Sequence, residues 1–255
     1  MAETSEQTHR GKLRIEEGAR RVRAYLGGEL VADTVNPKLV WEIPYYPAYY
    51  FPEEDVRLEL LTPNGQTAHS PSRGDSVFYD VMAGDTVAEG GAWRLPDSPF
   101  EELRSLVRLD WDAMDHWFEE DEEVFVHPRD PHTRVDILAS SRQVEIVING
   151  VTVASSDRAR LLFETGLPTR YYLPITDVRT DLLRPSATVS MCPYKGEANY
   201  YSVEVDGEVA TDVVWTYRSP VPESQKIIGL VAFYNERVDI IVDGVPQERP
   251  KTKFS

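Results

Sequence analysis

Laid over itself with an offset of 122 residues, the chain comes into register without a gap, at residue types that chance rarely repeats. Gly28 falls on Gly150, Glu42 on Glu164, Tyr49-Tyr50 on Tyr171-Tyr172 and Pro52 on Pro174. Asp55-Val56-Arg57 falls on Asp177-Val178-Arg179, Leu60-Leu61 on Leu182-Leu183, Pro71 on Pro193, Gly74 on Gly196, Tyr79 on Tyr201 and Trp93 on Trp215. A fixed period of this kind marks a duplicated architecture and has to be settled before any local reading. Each copy is roughly 110 to 120 residues, an ordinary domain size. The expected organisation is a polar arm over residues 1–19, a first domain over 20–139 and a second over 140–255, joined in the short polar stretch Ala139-Ser140-Ser141. With no long linker at that junction, the two copies are expected to pack on each other.

Within each copy the local signals favour strands. Val144-Glu145-Ile146-Val147-Ile148 is rich in β-branched residues and closes on Asn149-Gly150, a type I′ hairpin signal, after which Val151-Thr152-Val153-Ala154 resumes. The first copy turns at Gly27-Gly28, and two more strand pairs turn at Asp206-Gly207 and Asp243-Gly244. Short strands with turns every 8 to 12 residues or so predict an all-β barrel or sandwich in each copy. Helix is expected to be scarce, with its best candidates in the first copy, where Ser98-Pro99-Phe100-Glu101-Glu102 offers an N-cap, a proline at N1 and early acids. A second short helix is expected over Asp112-Ala113-Met114-Asp115-His116-Trp117-Phe118-Glu119.

Composition narrows the partners. Forty-three acidic against 27 basic residues leave a formal charge of −16, which argues against nucleic acid or an anionic membrane as partner, because phosphate binding needs a net cationic face. A single cysteine excludes an intramolecular disulfide framework and a thiolate zinc site. The first 20 residues carry no apolar core of a leader, and nowhere do ~18 apolar residues run together, so a soluble, cytoplasmic protein is expected.

The second copy carries the more informative blocks: Leu162-Phe163-Glu164, then Arg170 to Arg179 (Arg-Tyr-Tyr-Leu-Pro-Ile-Thr-Asp-Val-Arg), then Cys192-Pro193-Tyr194-Lys195-Gly196-Glu197-Ala198-Asn199-Tyr200-Tyr201. Val214-Trp215-Thr216-Tyr217, Gly229-Leu230-Val231-Ala232-Phe233-Tyr234 and Val238-Asp239 complete the set. This pattern, over about residues 20 to 250, resembles the DUF427 family, and the duplication resembles its two-copy members. The resemblance implies a mainly β domain of the β-tent type with short helices, in tandem. The family's name records no assigned function, and a nucleotidyltransferase-like label is attached to it. The first copy departs from the pattern: Cys192-Pro193-Tyr194-Lys195-Gly196 becomes Ser70-Pro71-Ser72-Arg73-Gly74, Trp215-Thr216-Tyr217 becomes Trp93-Arg94-Leu95, and at the same offset Phe233-Tyr234 becomes Trp111-Asp112. The first copy is therefore read as carrying a degenerate site and the second an intact one.

The Cys192 to Lys195 block puts a thiol, a phenol and an ammonium within four residues, before a glycine that admits close backbone approach. Lys195 can hold an anionic group, and Cys192 can act as nucleophile if a neighbouring cation stabilises its thiolate; the bland alternative is a buried thiol and a solvated lysine. The second domain, over 140–255, has no histidine to serve as base. Glu42 and Glu164 each end an apolar triplet, so each is either paired, with Arg57 or Arg179 as partner, or raised in pKa and able to act as acid or base. Asp55 and Asp177 precede those arginines by two residues, which suits a structural ion pair on one strand face. Adjacent aromatics such as Tyr171-Tyr172 send one ring to each face of a strand, so half serve the core and half are free to line a pocket.

The acidic run Asp110 to Glu123, followed by His127 and His132, matches no familiar metal-ligand spacing; no metal and no cofactor is expected. Its acids are instead expected to dock on Arg158 and Arg160 of the other copy. Gly-rich phosphate-binding signatures are absent from the sequence. The residues thus admit a small-molecule binding pair with a pocket in the second copy bounded by Glu164, Tyr172, Asp177, Arg179, Lys195, Tyr201, Trp215 and Tyr234. They also admit an enzyme on a small anionic substrate, extending to nucleotidyl or phosphoryl transfer, with Glu164, Lys195 and Cys192 as catalytic candidates. The third reading is an interaction scaffold.

Overall fold

A computed structural model describes residues 13–252 and Ser255, and in it the chain divides into two compact units, one ending at Asp130 and the other beginning at Pro131. The first unit contains β1 (Arg14–Glu17), β2 (Val22–Leu26), β3 (Glu29–Thr34), β4 (Lys38–Trp41), β5 (Ala48–Pro52) and β6 (Leu61–Ser70). It continues with β7 (Gly74–Ala83), β8 (Thr86–Arg94), β9 (Leu106–Leu109), β10 (His116–Glu119) and β11 (Glu122–Glu123). The second unit repeats the series as β12 (Val135–Ala139), β13 (Val144–Ile148), β14 (Val151–Ser156), β15 (Arg160–Glu164), β16 (Arg170–Pro174) and β17 (Leu183–Cys192). β18 (Gly196–Val205), β19 (Glu208–Pro220), β20 (Leu230–Phe233), β21 (Asp239–Val242) and β22 (Val245–Pro246) complete it. Each unit forms a seven-stranded sheet, in the orders β1-β4-β5-β9-β8-β7-β6 and β12-β15-β16-β20-β19-β18-β17, and a four-stranded sheet, β11-β10-β2-β3 and β14-β13-β21-β22. The chain is mainly β and its two halves share one topology.

The hairpins form where the turn chemistry places them. Asn149 and Gly150 both take positive φ between β13 and β14, as do Asp206-Gly207 between β18 and β19 and Asp243-Gly244 between β21 and β22. Strand alternation then divides the side chains of the large sheet. In the second unit Tyr171, Leu173, Val214, Val231 and Phe233 face the small sheet and pack with Val144, Ile146, Val153 and Ile240 in the main core. Tyr172, Leu162, Trp215 and Ala232 lie on the opposite face and form a separate cluster with Ile137, Tyr217 and Ile227. The first unit has the same two layers, with Tyr49, Phe51, Val107 and Trp117 inside and Val40, Tyr50, Leu95 and Leu103 on the other face. Each fully buried Leu, Phe or Ile contributes about 1.5–3 kcal/mol of transfer free energy, so the inter-sheet core dominates stability.

The repeated Asp-Val-Arg is a clamp between the two sheets. Val178 makes an isolated bridge to Ala154 of the small sheet's edge strand, and Arg179 N–H donates to Val153 O at 2.8 Å. Ser156 Oγ donates to Asp177 Oδ2 at 2.7 Å, while Arg158 holds the same carboxylate. The first copy repeats it with Val56 on Ala32, Arg57 N–H on Val31 O, and Thr34 Oγ1 donating to Asp55.

Several expectations are corrected. The junction precedes Ala139-Ser141, because β12 pairs along its length with β15 and so belongs to the second large sheet. The polar arm lies outside the described residues up to residue 12, and Arg14–Glu17 pairs with β4 as a sheet edge. Ser98-Pro99 initiates only a single 3-10 turn, Glu101–Leu103, whose Leu103 covers the outer-face cluster. The second expected helix is a turn followed by β10: Trp117 sits opposite Ala24 and buries itself in the inter-sheet core, where extended pairing outcompetes a short helix without a full apolar face. The acids of that region have partners in their own unit, Glu119 with Arg20, Asp121 with Arg23 and Glu123 with His116. Arg158 likewise pairs within its own copy, with Asp177.

Candidate functional site

On the outer face of the second large sheet, opposite the main core, polar chemistry gathers around two buried ion pairs. Lys195 sits in the tight β17–β18 turn, where its N–H bonds to Cys192 O at 3.3 Å. Gly196 follows at φ +96°, a conformation that a side chain would strain. Lys195 Nζ donates to Glu164 Oε2 at 2.5 Å, with side-chain exposures of 11% and 8%. Burial alone would lower the lysine's pKa, but its interactions with Cys192 and Glu164 outweigh that and hold the ammonium above its ordinary value. Lys195 is therefore a fixed cation at neutral pH.

Beside it, Trp215 Nε1–H donates to the Tyr172 hydroxyl at 3.0 Å with the rings edge to face. Burial pushes the phenols of Tyr172 and Tyr217 well up, so both stay neutral donors. The second ion pair is a fork: Arg170 Nη1 and Nη2 donate to the two oxygens of Glu236 at 2.6 and 2.7 Å, and Arg170 Nη1 also reaches Asn235 Oδ1 at 3.0 Å. The Arg170 guanidinium lies over Trp215 and Tyr234, 5.6 and 5.9 Å from their centroids. Although burial alone would raise it, the fork and the Thr252 hydroxyl hold the Glu236 carboxyl below its ordinary range. The half-buried Tyr200 and Tyr234, hydroxyls 3.4 Å apart, and Ser190, 2.8 Å from Tyr200, form the accessible rim.

Of the residues singled out from the sequence, Glu164, Tyr172, Cys192, Lys195, Trp215 and Tyr234 come together here. Tyr201 packs against the inter-sheet core. Asp177 and Arg179 belong to the inter-sheet clamp: Arg158 and Ser156 hold the Asp177 carboxyl well below its ordinary range, and Arg179 pairs with Asp181. Neither glutamate takes the partner expected of it, because Arg57 and Arg179 point along the clamp segment to Glu59 and Asp181. Sequence reasoning missed Arg170 and Glu236. Alternation in Arg170-Tyr171-Tyr172 already puts the arginine on the Tyr172 face. Glu236 was hidden by a change of register between the copies.

That change is visible in the ladders. Ala92 pairs with Leu109, and its equivalent Val214 pairs with Phe233, so across β9 the match runs at an offset of 124, which becomes 123 at β10, where Trp117 sits opposite Ala24 and Ile240 opposite Ile146. The counterparts of Ala232 and Tyr234 are Arg108 and Asp110, whose N–H donates to Gly91 O as that of Tyr234 donates to Val213 O, which corrects the alignment of Phe233-Tyr234 with Trp111-Asp112. The extra residues lie in the longer β19 and the 3-10 segment Pro222–Ile227.

With this register the first copy has its own charged centre. Tyr50 OH donates to Glu42 Oε1 at 2.6 Å, and Arg73 and Arg108 each approach that oxygen to 3.9 Å. Arg108 stacks over Trp93 at 4.7 Å, as Arg170 lies over Trp215. A cleft of about 230 Å³ opens next to this centre, lined by residues including Glu42, Ala48, Arg108, Trp111, Asp112 and Trp117.

The structure thus defines a class: a tandem pair of two-sheet β domains, each with a carboxylate, a cation, a tyrosine and a tryptophan on the outer face of its large sheet. The chain belongs to the family described as domain of unknown function (DUF427), whose model matches it twice, at residues 14–120 and 136–244. No curated protein matches the sequence. Among the described residues, no group of three His, Cys, Asp or Glu side chains is placed to hold a metal ion, and no helix is long and apolar enough to cross a membrane.

Proposed function

We propose that the protein is a small-molecule binding module, with the second copy's site on the outer face of its large sheet, around Lys195–Glu164 and Tyr172–Trp215 and entered over Tyr200 and Tyr234. The observation that carries this reading is the recurrence of one arrangement in both copies: Glu42, Arg73, Tyr50 and Trp93 match Glu164, Lys195, Tyr172 and Trp215. Each stands on the face that the main core does not use. A buried ion pair is weak support for stability, since desolvating two charges offsets most of their attraction. Keeping opposite charges together in both copies, beside an aromatic wall, suits recognition of a polar ligand.

Binding is favoured over catalysis because Lys195 is held protonated and Glu164 is locked to it, which leaves neither free to relay a proton at neutral pH. Lys195 can still stabilise negative charge, so nucleotidyl or phosphoryl transfer remains the competing chemistry. A cytoplasmic site of action belongs to the same reading.

The test is a thermal-shift screen of small carboxylates, phosphates, amino acids and nucleotides on the full chain, followed by titration of any hit into Tyr234→Phe and Lys195→Met. The reading expects a saturable hit weakened in both variants. A hit unaffected by either removes the site from this face. Turnover of a hit that falls by roughly 10²-fold or more in Glu164→Gln assigns an enzyme instead.

A further inference from the structure

The two copies handle charge differently on the same face. In the second, each cation has a carboxylate of its own: Lys195 has Glu164 at 2.5 Å and Arg170 has Glu236 in a two-point fork. In the first, the guanidinium over the tryptophan is supplied from β9 by Arg108, while the Arg170 position is Ala48. Arg73 and Arg108 share the single carboxylate of Glu42, each at 3.9 Å, beyond hydrogen-bond reach, and its Oε1 already accepts from Tyr50. Asp112, which follows Asp110 as Glu236 follows Tyr234, is exposed and pairs with neither arginine. Arg108 Nη1 donates to the carbonyl of Leu109, and the Nε–H groups of Arg73 and Arg108 are buried with no hydrogen-bond partner. Arg23, Arg94 and Arg129 also have a buried Nε without a hydrogen-bond partner; the guanidiniums of Arg23 and Arg94 hold a carboxylate at 2.7 and 2.5 Å. The first copy therefore lacks one carboxylate relative to the second, at a point where buried donors are left over.

A cleft leads to that point. Arg108 and Glu42 form part of its wall, together with Trp111 and Trp117, stacked at 4.8 Å, and Tyr46 and His127, stacked at 3.9 Å. Val126, also on the wall, takes φ +75° in a three-residue turn closed by His127 N–H to Phe125 O. That conformation is strained for a β-branched residue, and the turn sets His127 against Tyr46. Asp110 and Asp112 on the same wall repel multiply charged anions.

We propose that the first copy binds an aromatic monocarboxylate in this cleft: its carboxylate takes the place that Glu236 fills in the second copy and is gripped by Arg108, with Arg73 adding charge behind Glu42, and its ring lies between the aromatic walls. The planar guanidinium favours a carboxylate in a two-point fork, as Arg170 demonstrates. The site is separate from the one proposed for the second copy and does not depend on it.

The experiment is calorimetric titration of the full-length protein with benzoate, its neutral isostere benzamide and inorganic phosphate. Benzoate is expected to saturate at one site, with benzamide and phosphate weaker by roughly tenfold or more, because neither offers a planar anion to the fork. Arg108→Lys, which keeps the charge and the stem, is expected to lose roughly tenfold in affinity, and Arg108→Ala to lose binding. Equal affinity for benzamide, phosphate binding as tight as benzoate, no saturation, or full affinity in Arg108→Lys would each overturn the proposal. If Arg108→Ala does not fold, the lysine variant and the benzamide comparison decide.

Discussion

At the residue scale the account turns on buried charges that already have partners. Removing one member of a buried pair leaves the other desolvated and alone, which costs about 3–5 kcal/mol, whereas replacing both by apolar groups is close to neutral. Lys195→Met is therefore expected to destabilise the second unit by about that much, and Lys195→Met with Glu164→Leu to recover most of it, measured by urea unfolding. A single variant no costlier than an exposed pair, below about 1 kcal/mol, would show that the contact is not desolvated. The pH dependence follows from the shifts. Glu236 and Asp177 titrate lower in the folded chain than the ordinary value near ~4, so their contribution is complete above that value and is lost as pH falls through it towards their folded pKa values. Lys195 titrates higher when folded, so its contribution is complete below ~10 and is lost as pH rises through its folded pKa. Stability is expected to be flat between about pH 5 and 10 from these groups and to fall on both sides, with a shallower acid limb in Asp177→Asn. An acid limb identical in that variant would remove Asp177 from the explanation.

At the element scale, what could be read in advance was whatever short-range backbone chemistry dictates. Asn149-Gly150, Asp206-Gly207 and Asp243-Gly244 demand positive φ and so announce their hairpins. Tyr171-Tyr172 splits between the two faces of β16 as alternation requires. Failures came where a long-range partner decides. The segment Asp112–Glu119 carries apolar residues at helical spacing, yet Trp117 finds Ala24 across the ladder and Trp111 beneath its ring, and the segment extends. The charged partners were misread for the same reason: Lys195 reaches Glu164 across 31 positions of sequence, and Arg170 reaches Glu236 across 66. The lengthened β19 then hid the counterparts of β20 behind a two-residue slip. The Asp-Val-Arg element was recognisable as a motif, and its role is architectural. Asp177→Ala, which strips partners from Ser156 and Arg158, is expected to cost about 1–3 kcal/mol, and Asp55→Ala, where Thr34 alone loses its partner, less; equilibrium unfolding of both variants checks the order.

At the scale of the whole molecule, duplication supplies a control that a single domain lacks. Each unit has its own inter-sheet core and its own outer-face cluster, so residues 13–130 and 131–255 are each expected to fold alone with a cooperative transition, followed by circular dichroism during heating. A fragment without a cooperative transition would contradict that independence. The second copy, read from its motifs as the intact one, has fully paired charges; the first, read as degenerate, keeps the same kind of centre with a cation to spare and a cleft beside it. The central claim is that these outer-face centres are ligand sites. The most direct measurement is the indole region of a proton–nitrogen NMR spectrum, where five tryptophans give five reporters, two of them Trp93 and Trp215 at the centres. During titration of the full chain with benzoate and with the hits of the thermal-shift screen, the account predicts saturable shifts of the Trp93, Trp111 or Trp117 signal for a first-copy ligand and of Trp215 for a second-copy ligand, larger than those of Trp41. Shifts absent from all four, or rising linearly without saturation across the whole panel, would contradict it.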